Sequence, residues 1–206
     1  MKIGILISGR GSNMLALIDA AQGGQIPNAE IAVVISDKPG AAGLEKAAMR
    51  GVETLVVERR GRARAVHDAE IIDKLKTRGV NLVCLAGYMR LLSAEFIAAF
   101  RNSIINVHPS LLPAFPGLNA QRQALRYGVK YTGCTVHFVD EGLDSGAIIA
   151  QSVVPILDDD TEETLSERIL IEEHELYAAA VTQIATGDFR IEGRRVLTEQ
   201  LSPVKL

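Results

Sequence analysis

Apolar positions along this 206-residue chain fall into two alternating textures. Lys2–Ile7, Ile31–Ser36, Thr54–Val57, Leu82–Ala86 and Ser103–Val107 are short, rich in β-branched residues and apolar throughout rather than at every second position. Continuous runs of that length predict strands buried on both faces, as in a parallel sheet covered by helices. Between them, Asn13–Gln22 carries Met14, Leu15, Leu17 and Ile18 at helical spacing, and Arg64–Thr77 carries Val66, Ile71, Ile72 and Leu75. Gly43–Met49 is an alanine-rich third helix. Strands alternating with helices in this order predict an open, doubly wound α/β fold.

Past residue 110 the pattern changes. Leu111–Leu118 contains Pro113, Pro116 and Gly117 and reads as a loop, followed by a short helix over Gln121–Tyr127. Tyr131–Val139 and Ala147–Val154 alternate in polarity, which predicts strands extending the sheet in an antiparallel sense around a long loop, Asp140–Gly146. Asp160 or Thr161, followed by Glu162 and Glu163, opens a helix that runs to about Ile184 and stops before Gly187. The segment from Ile191 onward is polar, contains Pro203 and reads as peripheral.

Composition narrows the function classes. Apolar residues at 48% suffice for one sizeable core, and charged residues at 23% are too few for a disordered chain. Lys and Arg total 22 against 25 Asp and Glu, a net charge of −3, which argues against a general nucleic-acid binder resting on a basic face. The only cysteines, Cys84 and Cys134, lie in apolar runs without metal-ligand spacing, so a reducing, cytoplasmic setting is expected. The first apolar run ends at Ile7, too early for a signal peptide, and no stretch is long enough to span a membrane.

Two segments carry candidate chemistry. Ser8-Gly9-Arg10-Gly11-Ser12-Asn13 sits where the first strand hands over to a helix, and backbone amides at such a turn converge on an anion. Met14 stands where a third glycine of the dinucleotide fingerprint belongs, and no Gly-Lys-Ser/Thr follows. The turn is therefore either a site for a single phosphate or a tight turn capped by Ser12 or Asn13, with Asp37 the one residue that keeps a dinucleotide in play. The second segment is Asn106-Val107-His108 at the carboxyl end of a strand. Two-residue spacing puts Asn106 and His108 on one side of that strand, where an amide donor and a titratable imidazole suit a developing oxyanion. Asp144, in the glycine-flanked 140–146 loop, is the carboxylate able to complete them by favouring the charged imidazole, unless it merely caps a turn. His67, His108, His137 and His174 lack paired metal spacing, so no metal site is expected. His137 reads as a packed strand residue and His174 as a solvated or capping one.

Ile7–Asn13, Leu85–Arg90, the NVHPSLLPAFPG run over 106–117 and the VHFVDEGLDSG run over 136–146 together resemble the phosphoribosylglycinamide formyltransferases, a folate-dependent family. The resemblance extends from Met1 to about Asp188. It implies a Rossmann-like formyltransferase domain over 1–188 and a peripheral tail over 189–206. It also implies transfer of the formyl group of 10-formyltetrahydrofolate, a cosubstrate, to the amine of 5-phosphoribosylglycinamide (GAR) in purine biosynthesis, with no metal. By position, His108 becomes the proton donor and oxyanion stabiliser, Asn106 the holder of the formyl oxygen, and Asp144 the partner of His108 that relays the amine proton. Gly11, Ser12 and Asn13 become the phosphate cradle, and Glu173 a second contact to GAR. Met89, Arg90, Leu91, Leu92 and Asn106 become the folate-binding set, with Arg64 meeting the folate's glutamate end. Arg59, Arg60 and Arg62 read as a solvated loop.

Two departures stand out. His67 occupies a place where the family often has an aromatic, which reads as packing. Leu170 stands where polar residues often face the phosphate, and leaves open what holds that group besides the backbone. Formyl-tRNA-forming transferases and formyltetrahydrofolate hydrolases share the Asn-His-Asp logic but carry an extra domain, for which 206 residues leave no expected room. A non-catalytic nucleotide-sensing module would need a broken Asn106, His108, Asp144 set. Small-molecule partners are expected, without nucleic acid or membrane, in a monomer or a homodimer.

Overall fold

The first strand, β1 (Lys2–Ile7), is buried from Ile3 to Ile7, as a central strand with helices on both faces must be. The computed structural model describes residues 1–187 and 189–198. After β1 follow α1 (Ser12–Gln22), β2 (Glu30–Ser36), α2 (Ala42–Ala48), β3 (Thr54–Val56), α3 (Arg64–Lys76), β4 (Leu82–Leu85), α4 (Ala94–Ala99) and β5 (Ile104–His108). The second half adds α5 (Ala120–Tyr127), β6 (Tyr131–Phe138), β7 (Ile148–Pro155), α6 (Glu162–Thr186), β8 (Phe189–Glu192) and β9 (Arg195–Thr198). The strands form one sheet in the order β3-β2-β1-β4-β5-β6-β7-β9-β8. β1 to β5 pair in parallel, while β6 and β7 extend the sheet in antiparallel fashion. The Rossmann-like α/β architecture expected from the hydrophobic pattern is thus the observed one.

Period-two geometry sorts the strand residues between two layers. Ile3, Ile5 and Ile7 pack with Met14 and Leu17 of α1, Leu44 of α2 and Ile169 of α6. Leu6, Val33, Ile35, Val83 and Leu85 face the other way, against Ile71 and Leu75 of α3 and Phe96 of α4. Each such aliphatic side chain contributes about 1.5–3 kcal/mol when fully withdrawn from water.

The long helix α6 is fixed at both ends. Of the two caps the sequence offers, Thr161 takes the role: its side chain accepts from the Thr164 amide, and the Thr164 hydroxyl accepts from the Thr161 amide. Asp160 instead binds Arg168 at 2.7 and 2.8 Å, and that guanidinium holds its carboxyl well below the usual carboxylate range. Gly187, at φ 76°, ends the helix.

Two features escaped the pattern. The short helix α4 begins at Ser93, whose hydroxyl accepts from the Phe96 amide. Within the segment expected to be a peripheral tail, β8 and β9 form a hairpin through Gly193, and Phe189 stacks on Phe138 of β6 at 5.7 Å. Residues 199–206 of that segment lie outside the described residues.

Tyr177 ties the helical layer to the strand ends. It is 0% exposed, and its hydroxyl donates toward the carbonyls of Leu85 and Ile105 at 3.1 and 3.2 Å. Removing that hydroxyl leaves two buried carbonyls one donor short, a cost of about 1–3 kcal/mol. Tyr177→Phe is therefore expected to lower the unfolding free energy by that amount, read as a lower urea midpoint at unchanged m, and an unaltered midpoint would show that the hydroxyl stabilises nothing.

Candidate active site

The turn after β1 is shaped for an anion. Gly11, at φ 72°, is the N-cap of α1, and no side chain caps the helix. The first amides of α1 therefore keep their hydrogens free of intrahelical partners. A side chain at Gly11 would be strained and would meet the Gly43 Cα at 3.0 Å, because α2 presses on the turn through a Gly43 amide bonded to the Gly9 carbonyl. Neither Ser12 nor Asn13 caps, so the capped-turn alternative for this segment does not hold. Asn13 instead donates to the Glu173 Oε2 at 2.7 Å. Its Oδ1 is buried and has no partner among the described residues. Burial pushes the Glu173 carboxyl above the usual range, against the opposing effect of the Asn13 hydrogen bond. These groups border a cleft of about 680 Å³, whose lining includes residues 8–13, Met89, Pro109, Leu170 and Glu173.

A second, smaller pocket of about 160 Å³ opens on the other side of Met89, lined by Arg59, Arg64, His67, Asp68, Met89, Arg90 and Leu91. Its wall is built on a buried carboxylate. Asp37 accepts from the Ser8 hydroxyl at 2.6 Å and from the Arg90 Nε at 2.6 Å, while the Ser8 oxygen accepts from the Met89 amide. Asp37 is thereby committed to the loops, which removes the dinucleotide role left open for it. Met89 and Leu91 are 65% and 58% exposed, an apolar surface beside cationic groups. The Leu92 side chain, by contrast, packs in the core beside Phe96, so only its backbone is left to meet a ligand.

The solvated-loop reading holds for Arg60 alone, which is exposed and pairs with Glu58. Arg62 pairs with Glu70 at 2.7 Å and also bonds the Glu58 carbonyl, and Arg59 donates to the Arg62 carbonyl and lines the pocket. His67 is packed, as expected, with its Nε2 2.7 Å from the Val57 carbonyl.

Asn106, His108 and Asp144 do come together, at the carboxyl end of β5. His108 is 5% exposed and has acceptors at both ring nitrogens: the Phe115 carbonyl 2.9 Å from Nε2 and Asp144 Oδ2 3.4 Å from Nδ1. A doubly protonated ring would donate to both. Asp144 reaches this place because the 140–146 loop folds tightly. Asp140 accepts from the Gly142 amide and the Ser145 hydroxyl, and Gly146 passes so close to Phe138 that a Cβ there would lie 1.8 Å from its carbonyl oxygen. Asp144 itself sits at φ 48° and accepts from the Gly117 amide at 2.8 Å, joining the two loops. The cleft reaches the neighbours of this cluster, Val107 and Pro109.

Three supporting residues were not found from the sequence. His137 is buried, with Nδ1 2.8 Å from the Phe138 carbonyl and Nε2 3.3 Å from the Asn106 Nδ2. A carbonyl only accepts, so Nδ1 carries the proton and Nε2 accepts from the Asn106 amide. Burial lowers the basicity of this ring, against smaller opposing effects of the Phe138 carbonyl and of Asp144, whose Oδ1 lies 3.8 Å away. Thr135 and Gln151 pin the 109–118 loop from beneath. The Thr135 hydroxyl donates to the Ser110 carbonyl and accepts from the Leu112 amide, and Gln151 donates to the Leu112 carbonyl. Polar residues facing a loop across a strand leave no periodic signal.

His174 is half-buried rather than solvated, with an Nε2 that has no partner among the described residues, and burial pushes its ring below the usual range. Burial also pushes the Cys84 and Cys134 thiols up to about 12, so neither is a ready nucleophile. Among the described residues no group of three or more His, Cys, Asp or Glu side chains could hold a metal ion, and no helix is long and apolar enough to cross a membrane.

A family model described as formyl transferase matches residues 1–181. The chain is 50% identical over 188 residues to the trifunctional purine biosynthetic protein adenosine-3 of Drosophila melanogaster, covering 90% of this chain but 14% of that protein. It is thus similar to a small part of the trifunctional relatives it matches. It is also 38% identical over 192 residues to phosphoribosylglycinamide formyltransferase of Escherichia coli, covering 93% of this chain and 90% of that one. Among solved structures, glycinamide ribonucleotide transformylase 1 from Symbiobacterium toebii superposes with a TM-score of 0.94 at 52% identity, over 96% of this chain and 93% of the other.

The His137 geometry makes a direct prediction. At pH 7 long-range 15N–1H spectra are expected to show a neutral ring protonated at Nδ1, gaining its second proton only below the ordinary imidazole range. A ring protonated at Nε2, or charged at pH 7, would contradict the arrangement that orients Asn106.

Proposed function

The chain belongs to the formyl transferase family, and on that premise we propose that it transfers the formyl group of 10-formyltetrahydrofolate to the amine of GAR, giving N-formyl-GAR and tetrahydrofolate in purine biosynthesis. The observation that carries this reading is the nearness of two unlike sites: an uncapped helix N-terminus after β1, floored by Asn13 and Glu173, and an Asn-His-Asp cluster at the end of β5, two strands along the sheet. A phosphorylated amine acceptor and a formyl donor call for such a pair.

In this reading the phosphate rests on the amides of Gly11, Ser12 and Asn13, and Glu173 takes a sugar hydroxyl. The folate lies against Met89, Leu91 and the backbones of Arg90 and Leu92, with Arg64 toward its anionic end. The acceptor nitrogen attacks the formyl carbon, and charge develops on the formyl oxygen. Asn106 meets that oxygen with the amide hydrogen that His137 does not use, and protonated His108 donates as well once its Nε2 exchanges the Phe115 carbonyl for the substrate, Nδ1 staying on Asp144. The nitrogen's proton passes to Asp144 or to solvent, the C–N10 bond breaks, and His108 protonates the departing N10. Protons balance over the step: the acceptor loses one and N10 gains one.

Orienting the two substrates is the largest effect, worth about 7–11 kcal/mol. An oxyanion donor such as Asn106 contributes roughly 3 kcal/mol. A hydrolytic alternative shares the Asn-His-Asp logic but leaves the uncapped helix terminus without a role.

The test is the absorbance change of a 10-formyl folate with and without GAR. Change that requires GAR is expected, and an equal change in its absence would make the reaction hydrolysis. His108→Ala is expected to lower kcat by about 10²–10⁴-fold with the circular dichroism unchanged, and near-wild-type turnover would overturn the role given to His108.

A further inference from the structure

The cleft beside the β1 turn is unusual in its charge. Glu162, Glu163, Glu167 and Glu173 line it, of which Glu162 is paired with Arg122 at 2.7 Å, and among the described residues Arg10 is the one cationic side chain in the lining. A dianionic phosphate entering here meets repulsion from the α6 carboxylates, while a helix terminus offers only roughly half an elementary charge. Leu170 adds no donor. Arg50, Arg60, Arg62, Arg78, Arg90, Arg122, Arg168 and Arg190 each hold a carboxylate, and the described arginines other than Arg10 that lack one, Arg59, Arg64, Arg101 and Arg126 among them, do not line this cleft. Arg10 is exposed, and no such pair engages it among the described residues. Its backbone is held from outside by Lys46, whose Nζ donates to the Arg10 carbonyl at 3.3 Å. A further sign of a missing ligand lies next to it. Asn13 is 9% exposed, and its Oδ1 is a buried acceptor without a donor, as a sugar hydroxyl attached to the phosphate would be.

We infer that Arg10 is the side chain that clamps the acceptor's phosphate, and that it sets the preference for a phosphorylated over a dephosphorylated amine. The guanidinium fork matches phosphate oxygens bidentately and supplies the charge that the helix terminus lacks. The identity of the acceptor rests on the formyl-transfer reading above; the phosphate clamp does not.

Two measurements separate these claims. Inorganic phosphate is titrated into wild type, Arg10→Ala and Arg126→Ala while the amide signals of Gly11, Ser12 and Asn13 are followed. Saturable shifts are expected in wild type and Arg126→Ala, with a midpoint about tenfold higher or more in Arg10→Ala. The same midpoint in all three, or no saturable shift in wild type, overturns the clamp. In the transfer assay Arg10→Ala is expected to raise KM for GAR about tenfold, leaving kcat and the folate KM within about twofold and kcat/KM for the dephosphorylated amine unchanged. Equal losses on both amines overturn it too. If wild type forms no product from GAR, the formyl-transfer reading fails while the phosphate titration still decides the role of Arg10.

Discussion

The parallel pairing of β1 with β2 on one side and β4 on the other is the constraint from which the site follows. Ile5 lies opposite both Val34 and Cys84, so the turns leaving all three strands emerge at one edge of the sheet. There they are bound to each other. The Ser8 amide donates to the Gly87 carbonyl, and the Asp37 carboxylate, at the end of β2, receives both Ser8 and Arg90. A buried carboxylate without such partners would be costly, so these bonds hold the three loops in one arrangement. Ligands of open α/β sheets bind at this edge because the strand order reverses there, between β1 and β4, and leaves a crevice.

The chemistry is hung on the next strand. Asn106 and His108 project from the same side of β5, and Tyr177 holds that strand's end against β4 from the helical layer below. Above, the 109–118 and 140–146 loops meet where the Gly117 amide binds Asp144. Asp144 holds the left-handed backbone, φ 48°, while its carboxylate bonds across to the Gly117 amide. The neutral His137 ring turns the Asn106 amide nitrogen toward itself, and in the proposed reaction the second amide hydrogen meets the developing oxyanion. A cleft with an acidic wall, in turn, makes electrostatics the limiting factor for an anionic acceptor, and puts unusual weight on whichever cation faces it.

The fold was legible where burial writes a period. The continuous runs of β1 to β5 and the spaced apolar residues of α1, α3 and α6 matched their elements to within about a turn or less, because those patterns record which faces are covered. The short helix α4 and the β8–β9 hairpin were missed, since six or four residues carry too little periodicity to stand out. Of the site, the residues on strand ends and glycine turns were legible, because backbone position alone argues for them. The residues that position them were not. Asp37, Thr135, His137 and Gln151 act across the sheet on loops distant in the chain, and nothing local to their own segments announces that contact. The same holds for Arg62, which looked like one more solvated arginine until Glu70 of α3 was found beside it.

The central claim is that the helix terminus and the Asn-His-Asp cluster form one site that holds both substrates at once. A crystal structure with GAR and a folate analogue that cannot release its acyl carbon tests this most directly. The account predicts the phosphate on the amides of Gly11 to Asn13 and the amine about 3–3.5 Å from the acyl carbon, with Asn106 and His108 on the carbonyl oxygen. A phosphate bound elsewhere, or an amine held far from that carbon while both ligands are ordered, would contradict it.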